Sequence, residues 1–300
     1  MTPEELAAEI ENLIVGSAET FSASMIRAQN RLYSRIIATL KDLELDSEGY
    51  IKQSSANRRI LREAQKTFDQ LVQDPAYKGA VESQLKIIPR IDALNTTYFT
   101  SISKIFSPNR HFIKDLQKQV IRDVNVRLLN EGVVINVREP LNNILSQNIN
   151  SGGSFAGFNE QVRNFIKGNE NIEGRLLRYS KTYVADTLFS YARTWQEAVT
   201  TDLDLEFYLY SGGITAAGKG SGGSRSFCRE RNGNYYHRKE IELWADLEWK
   251  GKNSATTKSS IFTLLGGHNC RHSVIPVSTL IVPKDVIERA VLEGYYKQAA

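Results

Sequence analysis

The chain has 300 residues, 41% hydrophobic and 24% charged, the balance of a folded globular protein rather than a disordered one. No run approaches the roughly 20 apolar residues of a membrane helix, and the acidic start at Glu4 and Glu5 lacks the basic stretch that opens a secretory signal. The expectation is a chain with no membrane partner, in a cytosol or in a particle assembled there.

Long helices are predicted first. Thr2 can cap, Pro3 fits the first turn, and Glu5 stands at the capping-box position. Leu6, Ile10, Leu13, Phe21, Met25, Leu32, Ile36, Leu40 and Leu43 then recur in steps of three, four, seven or eight, the stripe of one helix. Forty residues of helix would span about 60 Å, which suits an arm that packs on a partner and equally a self-contained bundle. Further helices are expected near 54–74, 77–106 and 111–131, with breaks at Asp74-Pro75 and Ser107-Pro108. The β-branched run 133–137 reads as a strand or an extended connector. Helices follow at 140–150, 155–166 and 174–200, the last with Leu177, Val184, Leu188, Tyr191 and Trp195 on one stripe.

The pattern then changes. Residues 205–210 alternate like a strand, with Leu205, Phe207 and Leu209 on one side. A glycine-rich loop covers 212–224, a partner strand 271–277, and a closing helix 283–297. The fold class is α+β: mostly α-helical, with a long helical N-terminal region and a small C-terminal α+β module. The expected partition is 1–131 (extended helical region), 132–173 (connecting helices) and 174–300 (α+β module).

Charge and chemistry concentrate in that module. Residues 205–275 hold ten Lys or Arg against six acids, which accounts for the whole net charge of +4. Lys219, Arg225, Arg229, Arg231, Arg238 and Lys239 are the candidate contacts to DNA or to an acidic protein face. The two cysteines, Cys228 and Cys270, lie near His237, His268 and His272. If the second segment is extended, His268, Cys270 and His272 point to one face, and any four of the five residues could complete a zinc tetrahedron. The spacing is not that of a common zinc module, so two other readings stand beside it. The cysteines could be small buried residues beside locally bonded histidines, or a disulfide or redox pair. The Gly213–Lys219 stretch fits a phosphate-binding loop except that Gly220 stands where a magnesium-binding hydroxyl belongs, and no helix-forming sequence follows.

Two segments carry a family resemblance: one around Arg225, Cys228 and Gly233, the other around His268, Cys270, Arg271 and Pro276. With the preceding helix and strand they resemble the Mu F-like minor head (head morphogenesis) proteins of tailed bacteriophages. The family's proline after the histidine is absent here, and His272 replaces its last cysteine. The resemblance implies a structural protein with no catalytic residues, joining the capsid near the portal. Its partners would be portal and capsid proteins and packaged DNA, in the phage head and, during assembly, the host cytoplasm. It also implies that Cys228, His268, Cys270 and His272 hold the Arg225 loop against the terminal strand, with or without zinc. The alternative from the same residues is a metal-dependent nuclease with a histidine as general base.

Overall fold

The computed structural model describes residues 1–216 and 223–297. Helices make up 68% of it and the sheet has three short strands, so the fold is the mostly α-helical α+β class read from the sequence. In chain order the elements are α1 (Pro3–Leu40), α2 (Ser55–Gln73), α3 (Pro75–Leu85), α4 (Ile88–Ile102), α5 (Arg110–Leu129), the short α6 (Glu131–Val133), α7 (Glu139–Ser151), α8 (Phe155–Lys167) and α9 (Arg175–Leu203). Then come β1 (Phe207–Ser211), α10 (Ser226–Arg231), β2 (Tyr235–His237), α11 (Arg238–Leu243), α12 (Ile261–Leu264), β3 (Ser273–Val277) and α13 (Lys284–Leu292). Among the described residues no helix is long and apolar enough to cross a membrane.

Local chemistry sets the boundaries. The Thr2 hydroxyl accepts from the Glu5 amide at 3.1 Å while the Glu5 carboxylate accepts from the Thr2 amide at 2.7 Å, a reciprocal box that starts α1. Ser54 caps α2 and Asp74 caps α3 through side-chain acceptors, which explains the break at Asp74-Pro75. The helix expected over 77–106 is instead two, because Pro89 falls in the first turn of α4. The run 133–137 is neither strand nor connector. It continues α6 as a π-helical turn, Val134–Arg138, that leads into α7 with Val133 and Val137 buried. Burial of that face outweighs β-branched propensity.

The chain folds as two units that do not follow chain order. One comprises Met1–Gly16, Ile87–Val120 and Ala185–Ala300; the other comprises Ser17–Lys86 and Ile121–Val184. This grouping differs from the linear partition at 131 and 173, and side-chain packing shows why. Phe99 of α4 stacks on Trp195 of α9 at 5.7 Å, the Asn95 amide oxygen accepts from Gln196 at 3.0 Å, and the Tyr98 hydroxyl donates to the Pro276 carbonyl at 2.8 Å. In the second unit Leu61, Phe68, Leu141, Leu145, Phe158 and Val162 are buried, and the Tyr77 hydroxyl donates to the Leu128 carbonyl at 2.8 Å.

The sheet belongs to the first unit. Its order is β2-β1-β3, antiparallel throughout, with Phe207 opposite both His237 and Val277 and Tyr210 opposite Val274. Because side chains alternate along β1, Phe207 and Leu209 pack with Val277, Val282 and Val286, while Tyr208 and Tyr210 pack with Phe227, Trp244, Phe262 and both cysteines. The strand begins two residues later than its alternation suggested, so Leu205 precedes it.

Candidate functional site

The second of these clusters is where the chemically distinctive residues meet. Cys228 lies in α10, Cys270 in the turn before β3, and His272 at the strand's entrance. They are 2–3% exposed, and their ligand-capable atoms all lie within 4.8 Å of one another. Cys270 Sγ is 3.9 Å from His272 Nδ1, and both thiols are free. Gly266 sits against the pair: a Cβ there would come within 2.9 Å of each sulfur. The Tyr210 hydroxyl beside them is buried, with the Cys228 thiol as its neighbour but no hydrogen bond of ordinary geometry among the described residues; its ring lies 5.3 Å from that of His272.

The two thiols are not equivalent. The hydrogen bond with Cys228 holds Cys270 well below the usual thiol range, against the effect of burial, with help from the His272 ring and the Arg193 charge. The same hydrogen bond, together with burial, pushes Cys228 up. The two thiols therefore lose their protons as a coupled pair.

Not all five candidate ligands converge. The segment before β3 is not extended: Gly267 and Asn269 take φ values of 90° and 59°, which breaks the alternation that would have aligned His268 with Cys270 and His272. The His268 ring is thus turned to solvent, its side chain 69% exposed, with Nδ1 3.9 Å from the Asp186 carboxylate. His237 belongs to the opposite sheet face, packed on Phe207 at 5.1 Å and stacked with Tyr295 at 5.9 Å. It caps α11, with Nδ1 accepting from the Lys239 amide at 3.2 Å. Burial lowers its pKa from the ordinary imidazole value. Three of the five candidates, Cys228, Cys270 and His272, form the cluster.

Two residues of α9 complete the site. Arg193 is 4% exposed, and its guanidinium donates to the carbonyls of His272 at 2.9 Å, Thr263 at 2.9 Å and Cys270 at 2.5 Å. Asp186 accepts the Asn269 amide at 2.7 Å, and burial raises its pKa. Sequence reading passed over both. The only available signal was a charged residue between Tyr191 and Trp195 on a helix face that is otherwise apolar.

The remaining motif residues have structural places. Arg225 donates to the His268 carbonyl, tying the first motif segment to the second. Gly233 turns the chain into β2 with a φ of 80° and donates to the Tyr210 carbonyl at 2.8 Å. Arg271 is half exposed, 4.0 Å from Glu11, and Pro276 lies in the edge strand β3, where a missing N–H is tolerated.

Of the candidate DNA contacts, Arg231 stacks on Phe227 at 4.0 Å with its side chain 14% exposed. Arg238 is held by Glu197, Glu242 and the Tyr208 hydroxyl, and Lys239 by Glu242 at 2.9 Å. Arg229 is exposed and donates to the Ser224 carbonyl at 2.7 Å. Lys219 lies outside the described residues, as does the rest of 217–222 in the glycine-rich loop.

Comparison with family models, curated proteins and solved structures finds no match to this chain.

Proposed function

We propose that this chain is a non-enzymatic structural protein of a tailed-phage head, joining the capsid beside the portal and in contact with packaged DNA. The observation that supports this reading is the meeting of the two motif segments that resemble the Mu F-like family. Arg225 bonds the carbonyl of His268, and Cys228 comes within 4.8 Å of Cys270 and His272, about forty residues further along the chain. In such a module these residues serve architecture: they fasten one loop to one strand. Burial favours binding over catalysis, because a metal-dependent nuclease needs a metal-bound water within reach of a phosphodiester, and the clustered donors are at most 3% exposed.

The test is to co-express the chain with the portal and major capsid proteins encoded with it, purify the shells, and quantify the chain by mass spectrometry. A few copies per shell are expected; shells that assemble without it overturn the reading. Supercoiled plasmid incubated with the chain and magnesium, manganese or zinc should stay intact. Nicking that disappears in His268→Ala would establish the nuclease instead.

A further inference from the structure

We infer that Cys228, Cys270 and His272 form a structural zinc site, with the fourth position on the side of the Tyr210 hydroxyl, filled by that oxygen or by a water it holds. The inference is independent of the phage-head reading.

Two thiolates and one imidazole form a donor set that suits zinc. Around a tetrahedral zinc such donors stand roughly 3.5–3.8 Å apart, given metal–ligand bonds of about 2.3 Å to sulfur and 2.0–2.1 Å to nitrogen. The separation of 3.9 Å between Cys270 Sγ and His272 Nδ1 is already close to that, and no pair of donors exceeds 4.8 Å. Small side-chain adjustments close the rest.

The surroundings provide the second, independent observation. The Tyr210 hydroxyl is fully buried, and among the described residues it has only the weakly bonding Cys228 thiol beside it and no hydrogen bond of ordinary geometry, in a region where a buried polar atom ordinarily has one. A ligand at the centre of the cluster, or a water bound to it, supplies that bond. Gly266 keeps the space beside both sulfurs free of a side chain.

Charge also balances. A zinc dication neutralises two thiolates, so the occupied cluster adds no net charge to the buried interior. Arg193 in turn fixes the carbonyls of Cys270 and His272, the outer-sphere anchoring that holds a ligand pair in place.

The experiment uses the full chain, expressed without a histidine tag and kept reduced. Elemental analysis by mass spectrometry should find about one zinc per chain, and X-ray absorption at the zinc edge should show two sulfurs, one imidazole nitrogen and one further light atom. Cys228→Ser, Cys270→Ser and His272→Gln should each reduce zinc content to below about a tenth, whereas His237→Gln and His268→Gln should leave it unchanged. A wild-type chain without zinc after growth in zinc-supplemented medium overturns the site. So does zinc retained in Cys270→Ser, or a spectrum with no sulfur or with several imidazoles. The absorption spectrum needs no variant, so a cysteine variant that fails to fold does not spoil the test.

Discussion

Arg193 is a buried cation whose hydrogen bonds all go to main-chain carbonyls, those of Thr263, Cys270 and His272. Removing it leaves three acceptors without a donor, those of Cys270 and His272 buried and that of Thr263 partly so, each buried one costing about 1–3 kcal/mol. Arg193→Ala should therefore destabilise the chain by about 3 kcal/mol or more, measured by denaturant unfolding. Arg193→Lys should recover only part, since one ammonium cannot reach three carbonyls in the geometry of a guanidinium fork. Equal stability of wild type and Arg193→Ala would show that water replaces those bonds. At this scale the cysteines and His272 were legible because their residue types are rare and clustered. Arg193 was not, because its partners are carbonyl groups, which every residue carries. His268 was misplaced because one left-handed residue, Asn269, is enough to turn a neighbouring side chain out of line.

Among the elements, the helices with a strong apolar stripe and a side-chain cap were readable from Thr2 onwards, and so was the pairing of β1 with a strand at β3, though not its antiparallel sense. Residues 131–138 were not, since a valine-rich run has the same appearance in a strand and on the buried side of a helical turn. The short α11 shows how an element ties stability to pH. His237 is its cap, and burial lowers the pKa of that ring below its ordinary value of 6.5. Below about pH 6.5 the unfolded chain takes up a proton at this position that the folded chain resists. Stability contributed by His237 is thus intact above that pH and falls as pH drops through it, levelling once the folded ring also protonates. His237→Asn keeps a capping acceptor and removes the titration. The difference in unfolding free energy between variant and wild type should shift in the variant's favour between pH 7 and pH 5; a constant difference would show that His237 is not the titrating group. Raised carboxylates such as Glu197 and Asp92 act in the opposite sense in both proteins and cancel in that comparison.

For the whole molecule, each unit is assembled from separated stretches of chain. The unit that carries the sheet also takes the first sixteen residues and α4, and the Glu11 carboxylate accepts the Gly213 amide at 2.7 Å. A fragment spanning 174–300 would lack Phe99 against Trp195, Asn95 against Gln196 and the Tyr98 bond to β3. Such a fragment should show no cooperative thermal transition by circular dichroism, whereas the full chain should; a cooperative melt matching that of the full chain would mean the sheet needs none of those partners. Chain order could suggest a helical region followed by a module because composition changes there. It could not reveal that α4 packs with the module, since apolar stripes do not name their partners.

The Tyr98 bond to Pro276 has one more consequence. Antiparallel pairing with β1 leaves the main-chain groups of alternate β3 residues facing outward, and at Pro276 the outward nitrogen carries no hydrogen while the outward oxygen is taken by a tyrosine. At that residue the rim therefore offers a neighbouring molecule neither donor nor acceptor, which interrupts the ladder that a fourth strand arriving from another copy would extend. One residue thus weighs against self-association along this rim of the sheet, even when many copies are crowded together.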